Sequence, residues 1–255
     1  MLCEQIRDLH RQRCFAMDQR KRNDLALGAF LRTQLGWSRN LPEAERAAIA
    51  KQAMQLLKKP EGEWAEFIVD AKSGADIWVK REKAALKLME KLAKELPVWQ
   101  SFGADIRGFG AASLAVIVGE AGDLSNYATH SKLWKRMGLA VMDGIRQGGL
   151  AKGAGAEAWI EHGYNPVRRS QMWNIGDTII KGNRDGYYRT VYLDRKAFEL
   201  ARDPEMQPMK AHRRAQRYLE KRLLKRLWQA WRGAIVDMAG KPERLLPHTE
   251  IRDAA

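Results

Sequence analysis

The segment IRGFGAASLAVIV, residues 106–118, constrains the fold most, because a turn with two glycines leads directly into an uncharged apolar run. Gly108 and Gly110 have no Cβ, so the turn can take positive φ and approach another molecule closely. The residues from Ala111 onward fit a helix with one buried face, and Leu96–Phe102 supplies apolar residues to pack against it. The segment therefore predicts a glycine hairpin between two packed helices.

Two interpretations of this hairpin are open. The start of a helix exposes unpaired N–H groups and the positive end of the helix dipole, so a glycine turn at that point can hold a phosphate, as a helix-hairpin-helix motif does. Alternatively, the turn joins two core helices and contacts no ligand. A GxG pattern alone does not distinguish these interpretations.

The charge balance favours a polyanionic partner. The chain has 45 lysines and arginines against 31 acidic residues, a net charge of +14. Nucleic acid is the expected partner rather than a membrane, because neither terminus has an amphipathic anchor. No apolar run reaches the roughly 18 residues that a membrane span needs, and the charged N-terminus is unlike a signal peptide. We therefore expect a cytoplasmic, nucleoid-associated protein; a merely solvated basic surface is the alternative.

Neither a metal nor a cofactor is predicted. Cys3 and Cys14 lie too far apart on one helix to form a disulfide, so reduced thiols are expected. The histidines do not follow the ligand spacing of known metal sites.

The helical periodicity predicts an all-α protein. Residues 1–95 form a helical, potentially dimerising region, residues 96–240 a DNA-binding domain, and residues 241–255 a tail. Toward the end of the first region apolar residues recur at helical spacing, which suits either a coiled-coil dimer or packing within one chain. They are Ile77, Ala84, Leu88 and Leu92, joined by Ala85, Met89 and Leu96. Residues 141–163 contain six glycines without apolar rhythm, which predicts an exposed loop that orders only on binding.

The last long helix, predicted from Met209 to about Met238, is the most basic segment. Between Lys210 and Arg232 nine cations accompany one acid, Glu220, for a net charge of +8. The opposite face is apolar and is predicted to be buried in the core: Leu219, Leu223, Leu224, Leu227, Trp228, Trp231 and Ile235. A cationic face backed by a core stripe is what phosphate contact requires, although a solvated helix face has the same pattern.

The order of motifs from about Ala71 to Trp231 resembles the C-terminal part of the insertion-sequence 110/116/902 transposases. The I-x-G-h-G turn, the apolar helix, a G-D-h-x-x-(F/Y) turn and a K-h-x-x-x-x-G-L helix follow one another as in that family. The matching positions are Ile106, Gly108, Gly110, Gly119, Asp123, Tyr127, Lys132, Leu133, Gly138 and Leu139. The segments YYRTVYLDRK and KAHRRAQRYLEKRLLKRLW are similar, more loosely, to the family's closing helices.

Two departures limit what the resemblance implies. The family's RuvC-like nuclease domain, which holds Mg²⁺, has no counterpart in this sequence. Its nucleophilic serine would correspond to Gly148, which has no hydroxyl. The resemblance thus implies DNA binding in transposition or recombination, with no catalytic residue. An active transposase subunit whose metal site comes from another chain, with structured RNA as a further ligand, is an alternative. A structural assembly factor that binds a recombinase, or a second copy, through residues 1–95 is another.

The predicted DNA contacts combine the hairpin with basic residues of the later helices. They are Gly108, Phe109, Gly110, Ala111, Lys132, Lys135, Arg136, Arg168, Arg169, Arg213, Arg214, Arg217, Lys221 and Lys225. Contacts of this kind hold the phosphate backbone of duplex or branched DNA without reading its sequence.

Overall fold

The computed structural model describes residues 1–182 and 185–233, and it confirms the all-α class. The helices are α1 (Leu2–Gln34), α2 (Glu43–Lys58), α3 (Ala65–Ser73), α4 (Asp76–Glu95), α5 (Ala111–Ala121), α6 (His130–Arg136), α7 (Ala156–His162), α8 (Pro166–Gly182), α9 (Tyr187–Arg202) and α10 (Pro208–Trp231). Short 3₁₀ turns cover Gly62–Trp64 and Leu124–Asn126, and a π turn covers Trp99–Gly103. The predicted residues Ile235 and Met238 and the tail 241–255 lie outside the described residues.

The chain divides into two compact units. The N-terminal unit is Leu9–Leu88, and the C-terminal unit combines Met1–Asp8 with the chain from Met89 onward. Within the described residues, no helix has the length and apolarity of a bilayer-spanning segment. The predicted domain boundary after residue 95 remains a prediction.

The N-terminal unit has its own core. Leu27 and Leu31 of α1, Ala53 of α2 and Ile68 of α3 form a buried cluster. Polar contacts join the same helices, since the Asn23 amide donates to the carbonyl of Ala71 at 3.1 Å. Such long-range contacts show that the unit is a folded body rather than a chain of isolated helices.

On α4 and at Leu96 directly after it, the predicted apolar stripe is divided between the interior and the surface. Ala85, Met89 and Leu96 are buried, whereas Ile77 and Leu88 are 55% and 51% exposed. An exposed helical stripe is compatible with a second copy as partner, so dimerisation through this region remains a prediction.

In the C-terminal unit α10 occupies the centre and packs against α6, α8 and α9. The predicted stripe residues Leu219, Leu223, Leu224 and Leu227 are fully or almost fully buried, as expected. In the same unit Leu114 and Ile117 of α5 and Ile179 of α8 are also fully buried. Because α10 contacts three helices, only part of its surface is exposed, as at Lys210 and Arg213.

The prediction of an unstructured glycine-rich loop at residues 141–163 is wrong. Strands β1 (Val141–Met142) and β2 (Ile145–Arg146) form an antiparallel hairpin, and α7 follows. Asp143 and Gly144 both have positive φ, as a two-residue hairpin turn requires. The buried Gln147 side chain then accepts a hydrogen bond from the Ala140 amide and donates to the His162 carbonyl. Hydrogen bonds within the protein therefore order this segment.

Candidate nucleic-acid interface

The glycine hairpin has a structural explanation within the protein. Gly108 has φ +83°, and a Cβ at this position would lie 2.4 Å from the Thr178 carbonyl oxygen of α8. The Phe109 side chain is 2% exposed, and Ala111 is also buried. Gly110 alone of the two glycines borders open space, where a Cβ would meet nothing within 4 Å. Gly108 thus packs against α8, and contacts of DNA with Gly108, Phe109, Gly110 and Ala111 stay predictions.

Basic residues converge instead in a cleft of about 460 Å³ between α6, the β-hairpin, α9 and α10, which we call the cationic cleft. Eight cations and one acid line it. The cations are Arg146, Arg195, Arg202, Arg214, Arg217, Lys221, Arg222 and Lys225, the acid is Glu199, and the remaining lining residues are His130, Trp134, Val141, Gly144 and Tyr218. Four of the predicted contacts, Arg214, Arg217, Lys221 and Lys225, therefore lie in a single concave site.

Glu199 organises the arginines of this cleft. Its side chain is only 1% exposed, and its carboxylate accepts hydrogen bonds from Arg195, Arg202 at 3.0 Å and Arg214 at 2.7 Å. Burial opposes ionisation, but the hydrogen bonds and charges of these arginines hold the pKa of Glu199 below its ordinary value. One carboxylate against three guanidinium groups leaves excess positive charge at this end of the cleft.

Aromatic rings form cation–π contacts with two of the cations in the cleft. The Arg195 guanidinium lies 4.8 Å from the Tyr218 ring centroid, and the Lys221 ammonium lies 4.7 Å from that of Trp134. The Trp134 indole is itself fixed, because its N–H donates to the Lys221 carbonyl at 3.0 Å. Cation–π contacts of this kind hold side chains in position without neutralising their charge.

Burial, together with the charges of neighbouring cations, lowers the pKa of two basic side chains in the cleft. Burial, reinforced by the charges of Arg217 and Arg195, lowers the pKa of Lys221 to about 8. Burial and the neighbouring Arg169 lower the pKa of Arg217 to about 10, against the opposing charge of Glu220. Both shifts mean that the cleft disfavours its own positive charge, so an anion bound there would relieve repulsion.

A second groove, of about 440 Å³, gathers other predicted contacts. It is lined by Lys132, Lys135, Arg136, Trp159, Ile160, Glu161, Gly163, Tyr164, Asn165 and Arg168. Two of its cations already have partners, because Arg136 donates to the Glu120 carbonyl and Arg168 donates to the Glu120 carboxylate at 3.0 Å. Helix α6 thus carries basic residues toward this groove and aromatic residues toward the cationic cleft.

Two of the predicted basic contacts, Arg169 and Arg213, lie in neither site. Arg169 lines neither the cleft nor the second groove; instead it forms an ion pair with the fully buried Glu220 at 2.7 Å, which joins α8 to α10. Arg169 as a DNA contact stays a prediction, and its side chain, 18% exposed, already has Glu220 as a partner inside the protein. Arg213 is exposed on α10 but does not line either site.

Several cleft residues were missed by the sequence analysis. Arg195 and Glu199 follow the core positions Tyr188 and Tyr192 at helical spacing on α9, so charged residues at core positions were a usable signal. Arg146 follows the dipeptide Asp143–Gly144, which is a common hairpin signal between short apolar segments. His130 and Trp134 gave no such signal, because their place in the cleft depends on how α6 packs against α10.

Comparison of the chain with protein families, with curated proteins and with solved structures gives no match. The functional argument therefore rests on the geometry and electrostatics of the site and on the motif order described above.

Proposed function

We propose that this protein binds DNA through its phosphates, with the cationic cleft as the principal contact and the second groove as a neighbouring one. The proposal includes a role in DNA transposition or recombination on the nucleoid, in keeping with the transposase-like order of motifs between residues 106 and 139. The observation that carries it is the convergence of eight cations and one acid in a single concave site.

The fixed positions of the cations support this proposal over a solvated basic surface. Solvated lysines and arginines usually extend into water and have no common partner. Here three arginines share the buried Glu199 carboxylate, and Arg217 donates to the Ala140 carbonyl at 3.0 Å. Holding like charges together costs free energy, which an anionic ligand offsets.

The hairpin has a smaller part in this proposal than the sequence suggested. Its Gly108 is used for packing against α8, so the amide of Gly110 and the first turn of α5 are its remaining points of contact for a phosphate. Contacts with phosphates position a protein on DNA without identifying bases, so we propose binding without sequence preference.

The test is the salt dependence of binding to scrambled DNA duplexes, measured by fluorescence anisotropy with the full chain. For each phosphate that the protein neutralises, the slope of log K against log salt becomes steeper by about 0.9. Lys221→Gln should weaken binding and reduce the magnitude of the slope by about 1.

Lys210→Gln is the matched control, because it removes the same charge from an exposed position on α10 outside the cleft. This variant should change the affinity less than Lys221→Gln does. Binding that is indifferent to salt, or equally weakened by both substitutions, would contradict the proposal.

A further inference from the structure

The positive charge in the cationic cleft exceeds what a DNA strand can neutralise there. Eight cations and one carboxylate line a space of about 460 Å³, roughly 8 Å across, and their formal charges sum to +7. A duplex strand presents one phosphate for about every 3.4 Å along the axis, so about two phosphates fit within that width. Most of the charge in the cleft would remain unneutralised by a continuous backbone.

A short chain of linked phosphates matches this charge more closely. A terminal phosphate carries about −1.5 to −2 at neutral pH, and each further phosphate in the chain adds about one charge. A triphosphate therefore concentrates about twice the charge of the DNA segment that fits in the same space. The cleft also has the volume of a small-ligand site, which is typically about 300–1,000 Å³.

The cations are arranged for a ligand of this kind. Arg195, Arg202 and Arg214 are gathered on one side by Glu199, and guanidinium groups suit the bidentate contacts that phosphate oxygens accept. Among the residues that the structure describes, the Lys221 ammonium has the Trp134 ring as its neighbour and no carboxylate within ion-pair distance. Arginines on one wall and a lysine on another can together surround a chain of phosphates.

We propose that the cationic cleft binds a compact polyphosphate, two or three linked phosphates, such as those of a nucleoside triphosphate or of a 5′-triphosphorylated nucleic-acid end. This inference rests on the proposed function only in taking the cleft as an anion site. It adds that the cleft prefers ligands of high charge density, whereas the exposed basic residues of α10 outside the cleft have no such preference.

The experiment is calorimetric titration of the full chain at fixed ionic strength with inorganic tripolyphosphate and with orthophosphate. Tripolyphosphate should bind at least 100-fold more tightly. Lys221→Gln should weaken its binding at least tenfold, and Arg213→Gln, which removes a charge from the same helix outside the cleft, less than twofold. If circular dichroism shows that Lys221→Gln does not fold, Lys225→Gln removes another lining charge and should have the same effect.

Two further arms distinguish the sources of the polyphosphate. The first arm measures how well an oligonucleotide with a 5′-triphosphate displaces tripolyphosphate. Displacement at least tenfold better than by free GTP or ATP, and better than by the same strand with a 5′-hydroxyl, identifies a nucleic-acid end as the ligand. Equal or better displacement by the free nucleotides identifies a nucleotide site.

The inference is overturned if tripolyphosphate and orthophosphate bind alike, or if Arg213→Gln weakens tripolyphosphate as much as Lys221→Gln does. In that case duplex binding that still responds to salt and to Lys221→Gln would leave the proposed function intact. Loss of both kinds of binding would remove both.

Discussion

At the scale of single residues, Gly108 shows why a glycine motif can be interpreted in two ways. The positive φ and the close approach that a phosphate site would need are both present, but the backbone that comes close is that of α8. Gly182 at the end of α8 has the complementary role, because a Cβ there would lie 2.9 Å from the Gly108 Cα. The two glycines allow the hairpin and α8 to meet at backbone distance.

Gly108→Ala should therefore destabilise the protein by about 3 kcal/mol. The alanine would pay about 1–2 kcal/mol for positive φ and a similar amount for overpacking, since the atoms it meets at Thr178 and Ile179 are backbone atoms. Urea unfolding followed by tryptophan fluorescence measures the change.

Gly110→Ala is the control for this substitution. Its φ of −77° is ordinary and its Cβ would meet nothing within 4 Å, so a loss below about 1 kcal/mol is expected, from the poorer N-cap alone. Because the cleft is the proposed principal contact, this variant should bind duplex DNA within about twofold of the original chain. An equal loss of stability in both variants would refute the packing role of Gly108.

At the scale of helices, α8 and α10 meet around a buried carboxyl group. Glu220 of α10 is fully buried beside Arg169, and Gly176 of α8 leaves room for it, since a Cβ there would lie 2.8 Å from Glu220 Oε1. Burial raises the pKa of Glu220 to about 7, against the opposing charges of Arg169 and Arg217. The helix interface therefore contains a group that titrates near neutral pH.

The free energy of unfolding should respond to this titration. Between pH 4.5 and 7 the folded state keeps the Glu220 proton that the unfolded state has lost. Stability therefore falls as pH rises through this window, by up to about 3 kcal/mol. Glu220→Gln cannot titrate, so the stability of the original chain relative to this variant should decline from pH 4.5 to pH 7.5 in urea unfolding experiments. A relative stability that rises with pH would show that Arg169 lowers the pKa instead.

Elements that form through interactions between residues close in sequence could be predicted from the sequence. The helices α5 and α10 follow from local periodicity and from the glycine and proline near their starts, and the structure begins them at Ala111 and Pro208, close to the predicted starts at Ala111 and Met209. The buried stripe of α10 was predictable for the same reason. The Asp143–Gly144 turn is equally local, but the glycines around it led to the prediction of a loop.

The candidate site was less predictable, because it is formed between elements. Periodicity places Arg169 and Arg217 on helix faces, but it does not say that one meets Glu220 while the other lines the cleft. Likewise, Arg146 and Arg195 become neighbours of Lys221 only when the hairpin and α9 pack against α10. A charge count along one helix finds an excess of cations, whereas their convergence is a property of the tertiary structure.

At the scale of the whole molecule, the division into two units predicts where a ligand should stabilise the fold. The cleft lies entirely within the C-terminal unit, on α6, β1–β2, α9 and α10. A ligand that binds only the folded state stabilises it by about 2.7 kcal/mol at a concentration of 100 Kd. Hydrogen exchange that requires the site to open therefore becomes about 100-fold slower. Openings confined to the N-terminal unit leave the cleft intact, so the ligand does not slow hydrogen exchange through them.

Hydrogen exchange with mass spectrometry should therefore show tripolyphosphate protecting the amides of α6, α9 and α10 but leaving those of α2 and α3 unchanged. The core of Leu27, Leu31, Ala53 and Ile68 gives the N-terminal unit its own means of folding, which is why its openings can be independent of the ligand. Lys221→Gln serves as the control, since it should reduce the protection in the C-terminal unit at the same ligand concentration. Equal protection of α2, α3 and α10 would instead mean that the two units open together, as one cooperative body.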